Sequence, residues 1–204
     1  MLGRRGAVLA SLLDHDGLEA LRRDALASHP SADEMHAPEP DEEVWRGGSP
    51  ERWLESAPGG DALQAFYGSP SILDLLQRLT GLAWTQSGLI GTYSYYRRPG
   101  HHLGVHRDID ECDLAVITCV HDSSRSAAGL GGSLCLYPER TGDTLAELRA
   151  RPDDGAEYVQ LEPGQSVVLL GGLVPHRVLP VGEGHVRIVA PLCYRALDSE
   201  PELT

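Results

Sequence analysis

From Gly88 onward the chain breaks into eight short runs: Leu89–Arg97, Leu103–His106, Asp113–His121, Ser133–Tyr137, Glu157–Leu161, Ser166–Leu170, Pro175–Pro180 and His185–Tyr194. They are rich in β-branched, leucine and tyrosine residues and are bounded by Gly, Pro and Asp. Successive strands at this spacing, with turn signals between them, predict an antiparallel barrel or jelly roll. Two insertions interrupt the series. Asp122–Leu130 is rich in Ser, Ala and Gly, and Glu139–Asp154 is charged, with a helical piece around Thr144–Ala150.

The first 87 residues read differently. Leu9, Leu12, Leu13, Leu18, Leu21 and Leu26 recur at helical spacing, with Gly17 as a break. Ser28 to Gly60 shifts to Pro, Gly, Asp and Glu and reads as loop, with Trp45 and Trp53 embedded in it. Ser71–Leu79 reads as an amphipathic helix capped by Ser71 and ended by Gly81. The expected fold class is therefore mainly β with N-terminal helices. Residues 1–87 form a helical, loop-rich support or lid, 88–197 the core, and 198–204 a tail, all in one compact domain.

Thirty acidic residues face 17 basic ones, for a net charge of −13, and every basic residue is arginine. That balance argues against a nucleic-acid partner, which needs clustered positive charge. Arg4-Arg5 and the apolar run Ala7–Leu13 superficially resemble a signal peptide. The run is short and meets Asp14-His15-Asp16, so it reads as the start of a helix. No segment approaches a membrane span. The expectation is a cytoplasmic protein without a membrane partner, its oligomeric state left open. The four cysteines form no C-x-x-C pair; Cys119 and Cys135 read as buried apolar residues, and no disulfide framework is expected.

Chemistry is suggested by His106-Arg107-Asp108 and, far downstream, His176 and Arg187. Residues two apart on a strand share a face, so His106 and Asp108 can reach one metal. Two imidazoles and one carboxylate make the facial three-ligand set of non-haem Fe(II) oxygenases. Val181–Gly184 reads as a hairpin turn. A loop centred between Gly182 and Glu183 puts His176 opposite Val189, with Arg187 diagonal to it, about 7–8 Å away. A five-carbon diacid could then chelate iron at one end and meet Arg187 at the other. The ferrous ion, Asp108, the diacid and Arg187 sum to near-zero charge, which limits desolvation cost. His101 and His102 compete as ligands but read better as rim histidines. Arg97, Arg98 and Arg107 are candidates to pair with a substrate carboxylate; a solvated pair is the plainer reading of the first two.

The ordered series Tyr96…Pro99-Gly100…His106-Arg107-Asp108, Gly131-Gly132-Ser133-Leu134, Pro163-Gly164-Gln165, His176-Arg177-Val178-Leu179-Pro180-Val181 and Gly184-His185-Val186-Arg187 resembles the Fe(II)/2-oxoglutarate-dependent dioxygenases, most closely their prolyl-hydroxylase-like branch. The likeness spans roughly Leu89 to Tyr194. It implies a double-stranded β-helix, with His106, Asp108 and His176 as iron ligands and Arg187 as the anchor of the far carboxylate. Tyr96 would help hold 2-oxoglutarate, with Tyr95 or Tyr93 as substitutes under another register. It also implies consumption of O2, release of succinate and CO2, and support of activity by ascorbate. Many relatives carry Ser or Thr two residues after the arginine. Here that position is Val189, which leaves Thr118 and Tyr96 as candidates for the second carboxylate contact. Asp108 favours hydroxylation over halogenation.

The expected activity is hydroxylation of an unactivated C–H in an amino-acid-like small molecule or a peptidyl residue. The alternatives are a metal- or 2-oxo-acid-binding jelly roll without turnover, and a protein-directed prolyl hydroxylase. A cupin-type enzyme wants a His-x-His pair that the stretch 101–106 does not supply.

Overall fold

The computed structural model describes residues 6–40, 44–123 and 129–197. Among these residues twelve strands form one curled antiparallel sheet. In chain order they are β1 (Ala7–Ser11), β2 (Asp33–Ala37), β3 (Arg52–Pro58), β4 (Trp84–Gln86), β5 (Thr92–Tyr96), β6 (His102–His106), β7 (Leu114–Asp122), β8 (Leu134–Leu136), β9 (Glu157–Val159), β10 (Gln165–Leu169), β11 (His176–Val178) and β12 (Arg187–Ala196). The helices are α1 (His15–Ser28), α2 (Asp61–Tyr67), α3 (Pro70–Thr80) and α4 (Leu145–Ala150).

The hydrogen-bonded order is β1-β10-β7-β12-β5-β3-β6-β11-β8-β9, with β2 on β3 and β4 on β12. The sheet folds over itself so that β6, β11, β8 and β9 lie opposite the rest. Leu134, Leu136 and Val178 from that side pack against Leu54, Tyr96, Cys119, Val167, Leu169 and Val189 from the other. This is the jelly-roll interior. All eight strands expected after Gly88 are present.

Strand alternation assigns the opposite faces. Tyr93, Tyr95, Val116, Val120, Val168, Ile188 and Ala190 point outward and bury the apolar faces of α1, α2 and α3. On the smaller side, Val105, Cys135 and Tyr137 pack under Leu145 and Leu148 of α4. Thr144 and Glu147 cap α4 reciprocally.

The N-terminal part departs from expectation. Ala7–Ser11 is a strand, not a helix start; it adds an edge to β10, with Leu9 opposite Val167. Helix α1 begins at His15, where Asp14 accepts a hydrogen bond from the Gly17 N–H at 2.8 Å, so Gly17 sits in the first turn rather than breaking the helix. The expected loop 28–60 contributes β2 and β3. In α3 the N-cap residue is Ser69, not Ser71; Gly81 ends the helix in the left-handed conformation at φ 79°. Cys112 and Cys193 form a disulfide across 81 residues, against the expectation of none. Cys119 and Cys135 are free and buried. The tail 198–204 and much of the insertion after Asp122 lie outside the described residues. Among the described residues, no helix is long and apolar enough to cross a membrane.

Candidate active site

His106 ends β6 and His176 begins β11, and the two are direct cross-strand partners. Their ring centroids are 4.2 Å apart. Asp108, just past the end of β6, places Oδ1 3.7 Å from His106 Nε2 and 3.6 Å from His176 Nε2. One ligand atom from each of the three residues lies within 4.8 Å of the others. Val178 fixes the face: it shares its side of β11 with His176 and packs in the interior.

Backbone carbonyls set the tautomers. His106 Nδ1 lies 2.9 Å from Gly104 O and His176 Nδ1 lies 3.0 Å from Val174 O. A carbonyl only accepts, so each Nδ1 carries the hydrogen and each Nε2 turns a lone pair toward the shared space. Metal-ligating imidazoles are held in this way. Burial, then the neighbouring His176, pushes His106 down to about 3, so its ring is neutral. Burial also raises the Asp108 carboxyl, against the opposing influence of His176 and Arg46. A buried carboxylate facing two Nε2 atoms is a donor set that can hold a divalent cation.

Two residues outside the sequence prediction hold Asp108. Its N–H donates to Gly171 O at 2.9 Å, and a Cβ on Gly171 would stand 1.7 Å from its Oδ2. Arg46 donates Nε to the carbonyl of Asp108 at 3.0 Å and its Nη2 to Asp113 at 3.1 Å, tying down the turn.

Arg187 opens β12 and is 2% exposed. The expected hairpin register does not exist: β11 pairs with β6 and β8, whereas β12 pairs with β5, β7 and β4. The segment Val181–Gly184 instead carries the chain from one side of the roll to the other. Arg187 shares its face with Val189 and so enters the same interior as His176, from the opposite wall. Its Nη1 lies 3.3 Å from Asp122 Oδ2, whose other oxygen lies 2.9 Å from His185 Nε2. Among the described residues, the buried Arg187 Nε has no hydrogen-bond partner. Gly132 makes room here, since a Cβ on it would meet His185 Cε1 at 2.9 Å and Arg187 Cδ at 3.2 Å. A cavity of about 1060 Å³ reaches Arg187, Asp122, His121 and Gln160.

Tyr96 is the cross-strand partner of Arg187. Burial pushes its phenol up to about 12, with Arg187 opposing. Tyr93 and Tyr95 face the helices instead. Thr118 does not meet the expectation. It faces the helix layer, where its Oγ1 bonds Ser166 Oγ at 2.8 Å. Ser94 is the hydroxyl that the sequence reading missed: it lies opposite Val189 on the face of Tyr96. The alternation Tyr93-Ser94-Tyr95-Tyr96 carried that signal.

The three arginines proposed for substrate are occupied elsewhere. Arg97 contacts His29 and Glu55, and Arg98 pairs with Glu34 at 3.0 Å and Glu55 at 3.4 Å, on the outer surface. Arg107, 1% exposed, donates to the carbonyls of Leu173, Trp45, Thr141 and Asp143 and stacks at 3.8 Å under the Trp45 ring. It fastens the scaffold. His102 pairs with Glu51 at 3.1 Å, away from the triad.

No family model matches the sequence, and none of the curated proteins matches it. Solved structures do. A Pseudomonas putida prolyl-4-hydroxylase is similar at 19% identity and TM-score 0.58, covering 95% of each chain. The epimerase SnoN from nogalamycin biosynthesis, in complex with Fe3+, alpha ketoglutarate and nogalamycin RO, is similar at 14% identity and TM-score 0.67, over 95% of this chain and 80% of its own. HygX from Streptomyces hygroscopicus, with nickel and 2-oxoglutarate bound, is similar at 12% identity and TM-score 0.67, over 98% of this chain and 90% of its own. The chain has the fold of the 2-oxoglutarate-dependent non-haem iron enzymes. Epimerase and hydroxylase share that fold, so the fold alone does not name the reaction.

Proposed function

We propose that the chain is an Fe(II)- and 2-oxoglutarate-dependent oxygenase, with His106, Asp108 and His176 as metal ligands and Arg187 as the co-substrate anchor. The observation that carries this reading is the convergence of two Nε2 lone pairs and one carboxylate, within 4.8 Å, in the interior that Arg187 enters from the opposite wall. Three protein ligands on one face leave positions for a chelating 2-oxo acid and for oxygen. Bound iron and 2-oxoglutarate would supply the oxidising chemistry: O2 is consumed, succinate and CO2 leave, and one C–H of the substrate is oxidised.

The protein's own part is placement. Gly104 O and Val174 O hold both imidazoles in the ligating tautomer. Gly171 leaves the space in which Asp108 turns inward. Arg187 Nε, buried and without a partner among the described residues, would meet the far carboxylate, and the Tyr96 hydroxyl on the paired strand would add a donor. Ser94 supplies a second hydroxyl on the same wall. The substrate is a small molecule or a peptidyl residue, and hydroxylation is the outcome that an intact Asp108 favours.

Titration of the protein with Fe(II) under argon, followed by 2-oxoglutarate, tests the reading. The expected result is metal-dependent binding of 2-oxoglutarate and, on admission of air with ascorbate, slow release of succinate. Binding of 2-oxoglutarate that is indifferent to metal would sink it. One observation favours a second reading, a binding module without turnover: Asp122 already neutralises Arg187. Metal-dependent 2-oxoglutarate binding without succinate under any substrate would select it.

A further inference from the structure

Arg52 is a cation near the proposed metal site with no acid partner among the described residues. It begins β3, on the same face as Leu54, which packs in the interior. Its contacts are neutral ones: Nε donates to Pro50 O at 3.3 Å and Nη2 donates to Ser49 Oγ. Among the described residues it forms no ion pair, in a chain with 13 more acids than bases. The neighbouring Arg46 is spent on three backbone carbonyls and on Asp113.

Arg52 lines an open recess of about 610 Å³ with Val44, Arg46, Gly47, Ser49 and Ile109. Ile109 directly follows Asp108, and Gly47 and Ser49 also wall the narrow cleft that reaches His106. Val44 and Ile109 offer exposed apolar surface at the same place. The recess thus combines an apolar wall, one guanidinium held only by neutral groups among the described residues, and proximity to two of the three proposed ligands. A guanidinium fork suits a carboxylate or a phosphate, which it binds through paired N–H donors.

We propose that Arg52 binds an oxyanion on the substrate, so that this chain oxidises compounds made of an apolar body and one carboxylate or phosphate. The proposal rests on the reading that His106, Asp108 and His176 hold iron; it adds the substrate class. It also replaces Arg97, Arg98 and Arg107 in the role that the sequence suggested for them.

The test uses metal-loaded protein with 2-oxoglutarate under argon and a panel of matched probes. These are N-acetylated apolar amino acids and arylalkanoic acids, their primary amides, and the corresponding phosphonates. Calorimetry first measures 2-oxoglutarate binding to wild type; failure there removes the iron reading itself. With 2-oxoglutarate bound, the expected result is at least a tenfold preference of wild type for an acid over its amide. Arg52→Gln should abolish that preference and Arg52→Lys should keep part of it, while both variants hold 2-oxoglutarate within twofold of wild type. Preference for phosphonates over carboxylates supports the proposal and names phosphate as the group. Equal binding of acids and amides by wild type, including the case in which no acid binds, overturns it. So does an Arg52→Gln protein that retains the preference.

Discussion

At the scale of single residues, the candidate site is a problem of space and charge. Gly171 illustrates the first. Its missing side chain is where the Asp108 carboxylate stands, so Gly171→Ala must turn that carboxylate away while leaving both histidines in place. Metal affinity should fall by about 10- to 100-fold, the usual cost of disturbing a group that supports a ligand. Titration with Ni(II) reads this directly, and an unchanged affinity would remove Asp108 from the ligand set. Asp122 illustrates the second. The charge balance drawn from sequence omitted it, yet it pairs with Arg187 at 3.3 Å. Asp122→Asn leaves a buried cation uncompensated, at a cost of about 3 kcal/mol. A 2-oxoglutarate carboxylate would supply the lost counter-charge. The rise in Tm on adding metal and 2-oxoglutarate should therefore be larger in Asp122→Asn than in wild type. An equal or smaller rise would mean that Asp122 orients Arg187 rather than competing for it. Arg187→Ala should weaken 2-oxoglutarate binding by about 2–5 kcal/mol, because the co-substrate's carboxylate would then be buried unpaired.

At the scale of elements, what the sequence disclosed follows from how each element is stabilised. Strands β5 to β12 alternate or run apolar between Gly and Pro, and all were legible. Strand β1 was not: Ala7–Ser11 belongs to a stretch whose leucines also fit a helix, and its pairing with β10, 158 residues on in the Leu9–Val167 register, is invisible locally. Strand β2 (Asp-Glu-Met-His-Ala) is an exposed edge with no apolar face to read. The candidate ligands were legible as types and spacing. The path to Arg187 was not, because a four-residue turn signal cannot say whether the chain doubles back in one sheet or crosses to the other. The same blindness hid the disulfide. Cys112 follows β6, Cys193 lies in β12, and their Cα atoms are 4.9 Å apart across 81 residues. Cross-linking so long a loop stabilises by roughly 2–4 kcal/mol, mainly by restricting the unfolded chain. Cys193→Ser should lower the urea midpoint accordingly, and wild type in excess reductant should approach the same midpoint. Reductant that leaves the wild-type curve unmoved would count against the cross-link. Because Cys112 Sγ lies 3.7 Å from Asp108 Oδ2, metal affinity should be followed in the same samples.

At the scale of the whole molecule, the layers are pinned together by tyrosine hydroxyls. Tyr93 donates to Asp24 at 2.9 Å and Tyr95 to Ala25 O at 2.7 Å, joining the sheet to α1. Tyr194 donates to Tyr67 O at 3.0 Å, joining it to α2, and Tyr137 donates to Pro152 O at 2.7 Å beyond α4. Tyr96 lies inside the roll beside Arg187. Burial raises all five phenols above the usual tyrosine range, Tyr95 and Tyr96 to about 12. The sign follows from linkage. A phenol whose folded pKa lies above its unfolded value of about 10 contributes full stability below that pH and loses it as pH rises toward the folded value. With several such groups acting at once, the protein should hold its fold to about pH 10 and then unfold cooperatively. Ionisation removes the donors that join sheet to helices and leaves anions against apolar walls. The check is an alkaline titration followed together by tyrosinate absorbance and far-ultraviolet circular dichroism. Most of the absorbance change should come with the loss of ellipticity, above pH 10. Phenols that titrate at the ordinary pH with the ellipticity intact would show that these hydroxyls do not hold the layers together.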